Sequence, residues 1–320
     1  MTVAFVVSVA VLGGLLLLLI YEIRRPTTAS KWDRGALWQK RLRIAFTAIL
    51  LIVGSAVGWA FWVEPNRLVV RQETLKLWYW PSQLRGLKVA VLSDLHVGSR
   101  YIDERKVRTI VERTNELQPD LIVILGDYIT GNGRTSHRVE PEVFAPILKE
   151  LHARYGVYSV LGNHDWWYNG SKVRSALEAN GINVLEDEAV KLDVNGNSLW
   201  LVGLADLWTR PQHIAQTLAQ VPEGATIIAL THNPDIFPDV PQRVNLLLAG
   251  HTHGGQVRLP LIGSVVEYSR FGHRYEAGQV MENNHDLFVT TGIGTSIVPV
   301  RFGTPPEIVL LVLEQQTHWW

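Results

Sequence analysis

The sequence predicts an α/β domain, a parallel or mixed sheet covered by helices, behind an apolar N-terminal region that crosses a membrane twice. Three observations carry this. From Lys88 onward short apolar runs alternate with stretches of helical pattern, the order that β-α-β units produce. Most of those apolar runs end in a group of polar residues, which is where α/β sheets hold their sites. Ahead of them stand two nearly charge-free runs, Thr2 to Ile20 and Ile44 to Val63. Each is about 20 residues and so ~30 Å as a helix, the thickness of a bilayer core.

Neither N-terminal run has a polar stripe at helical period, which argues against a buried helix of a water-soluble protein. Tyr21, Trp59 and Trp62 sit near the run ends, where amphipathic rings favour the membrane interface. The linker carries Arg24, Arg25, Lys31, Arg34, Lys40, Arg41 and Arg43 against Glu22 and Asp33. That excess predicts a cytoplasmic linker, with both chain ends and the rest of the protein on the extracytoplasmic face of a cell membrane. Gly54 and Gly58 form a Gly-x-x-x-Gly pair of the kind that packs helices together. No basic residue precedes the first run and no convincing small-x-small cleavage site follows it, which argues against a cleaved signal there, whereas Lys40-Arg41 and the small residues Ser55, Ala56 and Gly58 leave an export-and-cleavage reading open for the second run. The expected organisation is an anchor over residues 1–63 and one domain over 64–320.

The chain of 320 residues has a formal net charge of zero and no cysteine. The balanced charge gives no basic stripe for nucleic acid. Without cysteine there are no disulfides and no thiolate metal sites, so any metal must be held by nitrogen and oxygen.

In order, Leu68 to Trp80 is rich in β-formers and closed by Pro81 and Gly86, which reads as an edge strand or hairpin. Lys88 to Leu92 is a buried strand that ends in Ser93-Asp94-Leu95-His96. A helix from Glu104 to Leu117 follows, stopped by Pro119. A second buried strand, Leu121 to Leu125, ends in Gly126-Asp127. After a polar loop and a helix from about Pro141 to Arg154, a third strand, Val157 to Leu161, ends in Gly162-Asn163-His164-Asp165. Ser171 to Asn180 reads as a helix capped by Gly181. Ala189 to Leu192 and Ser198 to Val202 form a hairpin across Asn195-Gly196-Asn197. A helix near Gln212 to Ala219 precedes the strand Thr226 to Leu230, which delivers Thr231-His232. The run Val244 to Ala249 ends in Gly250-His251-Thr252-His253-Gly254-Gly255. Strands near Leu287 to Thr290 and Glu307 to Leu313 complete the chain.

In extended backbone, side chains two apart share a face. Asp94 with His96, and His251 with His253, are therefore each expected to converge on one point. Alone, a strand-end Asp is usually a helix cap or turn former, and two close histidines are more often incidental surface residues. Five strand ends together present Asp94, His96, Asp127, Asn163, His164, His232, His251 and His253.

This ordered set resembles the calcineurin-like metallophosphoesterase superfamily, whose motifs are Asp-x-His, Gly-Asp, Gly-Asn-His-Asp/Glu, a lone His, and Gly-His-x-His. Pro299-Val300-Arg301-Phe302-Gly303 adds a likeness to its bacterial membrane-associated or exported branch. The resemblance implies a four-layer αββα sandwich of two mixed sheets with helices outside. It also implies two divalent ions, with Asp127 bridging them. Asp94, His96 and His253 would complete one ion, and Asn163, His232 and His251 the other. Donors without sulfur admit Mn, Fe, Zn or Co. By the same resemblance His164 is the acid that protonates the leaving oxygen, and Asp165 is expected to orient or charge its imidazole. The expected reaction is hydrolysis of a phosphodiester, phosphomonoester or pyrophosphate by a hydroxide that the ions activate. The membrane anchor extends the expected substrates to a phospholipid or lipid-linked phosphoester. Trp166, Trp167 and Tyr168 either line an apolar wall or dip into the bilayer, or else pack beneath the turn. A non-catalytic membrane scaffold or sensor that keeps the metal site is the alternative. The remaining histidines, His137, His152, His213, His273, His285 and His318, are expected to be surface or structural.

Overall fold

The computed structural model describes residues 3–25, 34–130 and 139–316, so His137 and His318 lie outside the described residues. The chain forms two compact units, Met1–Glu64 and Pro65–Trp320.

The first unit holds helices α1 (Val3–Arg24) and α2 (Arg34–Gly58); a wider turn (Trp59–Val63) and a tight one (Glu64–Asn66) follow α2. Among the described residues one helical run, Gly35–Asn66, is long and apolar enough to cross a membrane. Its 32 residues reach ~48 Å at 1.5 Å per residue, more than a bilayer core requires. The expectation of two spans is therefore met at one. For α1 the described side chains begin at Ala10, so the expected span from 2 to 20 lies only partly within the described residues, and linker residues 26–33 lie outside them. α2 also starts earlier than the apolar run, so Lys40, Arg41 and Arg43 are helical rather than part of a linker. Lys40 Nζ uses that position to donate to the carbonyls of Arg25 (2.6 Å) and Ile23 (3.2 Å) at the end of α1, where the unpaired carbonyls favour a cation. Of the expected glycine pair, Gly54 faces Leu12 so closely that a Cβ would meet its Cδ2 at 2.8 Å, whereas Gly58 has open space beside it.

Among the described residues the second unit contains fourteen strands in chain order: β1 (Val69–Leu77), β2 (Leu87–Leu92), β3 (Leu121–Ile124), β4 (Val157–Ser159), β5 (Asn183–Val184), β6 (Glu188–Val194), β7 (Asn197–Gly203), β8 (Thr226–Leu230), β9 (Leu246–Ala249), β10 (Arg258–Leu259), β11 (Gly263–Ser264), β12 (Gly278–Glu282), β13 (His285–Val289) and β14 (Glu307–Gln315). Its helices are α3 (Glu104–Glu116), α4 (Pro141–Leu148), α5 (Asn163–Glu178) and the short α6 (Ile214–Leu218). One six-stranded sheet runs β1-β14-β2-β3-β4-β5 and the other β12-β13-β9-β8-β7-β6. Both are mixed: β14 is antiparallel to β2 in the first, and β6 and β12 are antiparallel edges of the second.

Strand alternation builds the layers. Val89 and Val91 of β2 join Leu121, Val123, Leu201, Leu230 and Leu248 in the core between the sheets. Ala90 and Leu92 point the other way, into a core shared with α3, α4 and α5. The far face of the second sheet buries Val202, Ile227, Leu247 and Val289 beneath α6 and the turn Pro234–Asp239. The result is an α/β sandwich with helices outside, thick on one side and thin on the other.

Two elements differ from the sequence expectation. α4 stops at Leu148 rather than near Arg154 because Asn115 of α3 takes the backbone that would continue it. The Asn115 amide donates to the carbonyl of Glu150 (2.8 Å) and accepts the N–H of His152 (3.1 Å). α5 starts at Asn163, eight residues early, with Gly162 as its N-cap and a break at Asn169 (φ −175°, ψ 85°).

Candidate metal centre

The parallel strands deliver their polar ends to one place. β2 leads to Asp94 and His96, β3 to Asp127, β4 to Asn163 and His164, β8 to His232, and β9 to His251 and His253. These are carboxyl ends of strands, where an α/β fold leaves backbone and side chains free to converge.

The convergence does not come from strand alternation as expected. β2 and β9 end at Leu92 and Ala249, and Asp94, His96, Asp127, His251 and His253 adopt φ of 54°, 46°, 55°, 69° and 51°. This left-handed region costs a side-chain-bearing residue ~1 kcal/mol or more, and such strain gathers at functional sites. Neighbouring backbone holds it in place: Asp94 N–H donates to Gly126 O (3.0 Å), His96 N–H to Asp127 O (3.0 Å) and Gly294 N–H to Asp94 O (2.6 Å). Close approach also dictates two glycines. A Cβ on Gly250 would lie 2.0 Å from Ser93 Oγ, and one on Gly162 would lie 2.3 Å from Asp127 Oδ1.

Two groups of donors result. In the first, His96 Nε2 and His253 Nε2 face each other at 3.1 Å, with Asp94 Oδ1 3.3 Å from His253 Nε2 and 3.9 Å from His96 Nε2. In the second, His251 Nδ1 lies 3.1 Å from His232 Nε2, which is 3.3 Å from Asp127 Oδ2. That same Asp127 oxygen is 3.6 Å from His96 Nε2, so Asp127 stands between the groups. His251 and His253, expected to meet at one point, are divided between them. Asn163 occupies the first position of α5, and its neighbour His164 donates its backbone N–H to Asp127 Oδ1 (2.8 Å).

The donors fit cations better than they fit one another. Asp94 Oδ1 and Asn163 Oδ1 are buried without a hydrogen-bond partner, a costly state that a cation would relieve. His232 Nδ1 lies 2.7 Å from the Leu125 carbonyl, which fixes its proton there and aims Nε2 inward. The Asp94–His96–His253 and Asp127–His232–His251 clusters each bring their ligand atoms within 4.8 Å of one another.

Electrostatics point the same way. Burial pushes His96 down to about 3, and burial together with the neighbouring His232 does the same to His251. Burial also holds His253 well below the usual imidazole range, assisted by His96 and Arg301. These three rings are neutral lone-pair donors. At His232 burial is outweighed by the Asp127, Asp94 and Asp206 carboxylates, which raise it to about 10, while burial raises Asp94 to about 6. Without metal, a proton on His232 takes the place of a cation.

A pH dependence follows. His232 is raised above its unfolded value of ~6.5, so its proton stabilises the metal-free fold fully below that pH and the contribution fades as pH rises toward 10. A metal held by His232 would have to displace that proton. Apparent metal affinity, measured by chelator competition, should rise about tenfold per pH unit between pH 6 and 8 through His232 alone, and more steeply below 6, where Asp94 also holds a proton. A flat profile would show that His232 is no ligand.

The structure corrects the expected role of Asp165. Its Oδ2 accepts the N–H of Asp127 (2.9 Å) and Gly162 (3.0 Å), and its Oδ1 those of Tyr128 (2.9 Å) and Ile129 (3.2 Å). Backbone claims both oxygens, and the His164 ring does not touch them. His164 Nδ1 has no partner and Nε2 lies 3.4 Å from Ser296 Oγ. The ring meets His96 edge-on at 4.8 Å and lies 4.9 Å from Trp167.

The aromatic triplet divides. Trp166 packs, donating Nε1–H to Glu186 (2.9 Å) beneath the Arg210 guanidinium, and Tyr168 donates its hydroxyl to Glu140. Trp167 alone is open, 58% exposed. It stacks beside Trp208, whose ring meets His251 edge-on at 4.4 Å.

Trp208 was not foreseen, nor were Asp206 and Arg301 as site residues. Asp206 is fully buried, with one oxygen bound by the Thr209 N–H and hydroxyl and the other without a partner. It follows β7 as Asp94 follows β2, so the strand-end pattern held the signal. Arg301 is fully buried, donates to the carbonyls of Thr291, Gly292, Gly294 and Thr304, and lies 3.3 Å from His253 Nδ1.

A two-sheet sandwich with a sulfur-free His/Asp cluster at its strand ends defines a metal-dependent hydrolase of phosphoesters. The chain belongs to the calcineurin-like phosphoesterase family, whose model matches residues 87–255. It is 31% identical over 275 residues to the uncharacterized metallophosphoesterase YkuE of Bacillus subtilis, covering 84% of this chain and 94% of that one. It is 28% identical over 283 residues to the phosphodiesterase YaeI of Escherichia coli, covering 86% and 98%. It is 29% identical over 304 residues to a zebrafish (Danio rerio) transmembrane protein with a metallophosphoesterase domain, covering 88% of this chain and 64% of that one.

Proposed function

We propose that the protein is a membrane-anchored, dinuclear phosphohydrolase whose substrates include lipid-linked phosphoesters. The observation that carries the dinuclear reading is Asp127, one carboxylate within 3.6 Å of a histidine from each donor group. Asp94, His96 and His253 would hold one ion, and Asn163, His232 and His251 the other, with Asp127 shared between them. Two divalent ions bound there would polarise a phosphoryl oxygen and acidify a water near neutral pH. Mn, Fe, Zn and Co all suit this donor set.

The chain's own residues do the rest. Two carboxylates facing two divalent charges leave the site net positive, which draws in a phosphate. His164 is tied through its backbone N–H to Asp127 Oδ1 and acts as the imidazolium, which burial disfavours and the Asp127 carboxylate favours. As water adds to phosphorus and the ester P–O bond breaks, the Nε2 proton passes to the leaving oxygen, and the proton the water loses restores the imidazolium. The anchor reading joins the span at Gly35–Asn66 to a second span in α1, with the basic linker cytoplasmic and the catalytic unit outside. The phosphodiesterase name of the E. coli relative and the transmembrane name of the zebrafish one support it.

Purified protein should contain about two divalent ions per chain by elemental analysis. It should also lose turnover of an aryl phosphodiester in chelator and regain it with manganese. Replacing His164 with Ala should keep the metal and slow turnover of an alkyl ester by ~10²–10⁴-fold. An aryl ester, whose leaving group needs little protonation, should suffer less. Metal loss in that variant would instead make His164 a ligand, which its place in a cluster with His96 and Asp127 allows.

A further inference from the structure

Two loops beside the site expose apolar side chains that the reaction does not use. At the tip between β10 and β11, Leu261 is 108% and Ile262 72% exposed, and Val265 and Val266 follow. On the neighbouring loop Ile297 is 77% exposed, with Val298 beside it. Gln256 ties the loops together: its side chain accepts the Ser296 N–H (2.6 Å) and donates to the carbonyls of Ser296 (3.1 Å) and Val298 (3.4 Å). Arg258 N–H adds a bond to Phe302 O (2.7 Å). Gln256 is three residues from His253, and Ser296 Oγ faces His164. Ile297 therefore follows a residue that touches the His164 ring, and the β10–β11 loop is tied to that same loop through Gln256 and Arg258.

Three features indicate what covers them. Leu261 and Ile297 take φ of 68° and 60°, a strained conformation for an apolar residue and rare for a β-branched one. Strain that presents an apolar side chain to the outside indicates a partner there. Residues 257–266 and 294–302 contain no carboxylate, and the adjoining Glu267 pairs with His273 and Glu276 with Arg258, so no acidic group within the tips repels an anionic surface. The same chain has a helix able to cross a membrane that ends at Asn66, three residues before β1 begins. With the anchoring proposed above, the unit is tethered to a bilayer.

We propose that these two tips insert into the interfacial layer of the lipid bilayer and seat the mouth of the site on the headgroups. This rests on the membrane anchoring proposed above and deepens it. The site then takes its phosphoester from the leaflet, with the apolar part of the substrate left among the lipids. An apolar tip at the headgroup boundary sits at a depth of about 5–10 Å.

The cysteine-free sequence allows one cysteine to be placed at a time in the full-length protein, at Ile262, at Ile297 and at the exposed Glu112 on α3. After spin-labelling and reconstitution into phosphatidylcholine–phosphatidylglycerol vesicles, collision with oxygen and with a water-soluble nickel chelate reports depth. Labels at 262 and 297 should favour oxygen, and the label at 112 should favour nickel. Equal nickel access at all three would overturn the proposal. So would shielding of 262 and 297 from both probes, which marks a protein or second copy as the occupant. A Leu261→Ser, Ile262→Ser, Ile297→Ser variant should lose about tenfold or more in turnover of a vesicle-embedded phosphoester while its turnover of a soluble aryl phosphodiester stays unchanged. Equal loss on both substrates would count against docking. A wild-type protein inert toward both would refute the hydrolase reading, and label depth would still decide the docking.

Discussion

Asp127→Asn should lower turnover by about 10³-fold or more, equivalent to ~4 kcal/mol of transition-state stabilisation, and should reduce bound metal by at least half. The substitution preserves the shape of the side chain. Asn retains an oxygen that can accept the His164 N–H, and its volume matches the space that Gly162 leaves open. What it removes is the negative charge between two imidazole groups. His232 and His164 are the neighbours that hold Asp127 well below the usual carboxylate range against its burial, which marks a carboxylate kept ionised for a positive partner. Without that charge a second cation would face the first with only Asp94 to offset both. Turnover of an aryl phosphodiester, metal content and thermal unfolding should be measured on the same preparation. Metal-free unfolding should also shift downward below about pH 10, because Asp127 is the first of the carboxylates that hold the proton on His232. A variant that keeps more than a tenth of its activity, or its full metal content, would remove Asp127 from the centre.

The legible part of this site was the part written next to strands. Asp94, Asp127, His232 and His251 each follow an apolar run that ends abruptly, across Ser93, Gly126, Thr231 and Gly250 respectively, so the run and the polar residue are neighbours in sequence. Nothing local marks Arg301, whose partners come from residues 291–304 and whose nearest site residue, His253, is 48 positions away. Its motif was visible, but its burial beside a ligand was not. The path by which the pairs converge was misjudged for a related reason. Residues with positive φ cannot be told from strand residues by polarity, and here tertiary hydrogen bonds impose the left-handed backbone at His96 and Asp94. The ends of α4 and α5 were obscured similarly: a side chain from α3 stops one, and the crowded approach of Asp127 to Gly162 starts the other. In the N-terminal unit, apolar composition located a membrane-length helix, while the placement of Lys40 on α2 depended on its contact with α1.

Asp165→Ala should destabilise the metal-free protein by about 3–5 kcal/mol, comparable to the loss of a large core side chain. The carboxylate accepts four backbone N–H groups from two strand exits, Asp127, Tyr128 and Ile129 after β3 and Gly162 after β4. All lie in the buried interior, where an unmade hydrogen bond costs ~1–3 kcal/mol per group. The four do not add fully, because the turns can relax once freed. Asp165→Asn should be nearly as damaging, since its amide offers hydrogens to N–H groups at one of the two oxygens. Metal affinity should fall in both variants, because Asp127 is aimed by the turn that Asp165 holds. The competing role, a carboxylate that tunes the His164 acid, gives a different result: Asp165→Asn would then move the pH profile of turnover while leaving stability within ~1 kcal/mol. Denaturant unfolding with and without metal, together with a pH profile of the folded fraction, separates the two. A stable variant with a shifted profile would return Asp165 to the catalytic step.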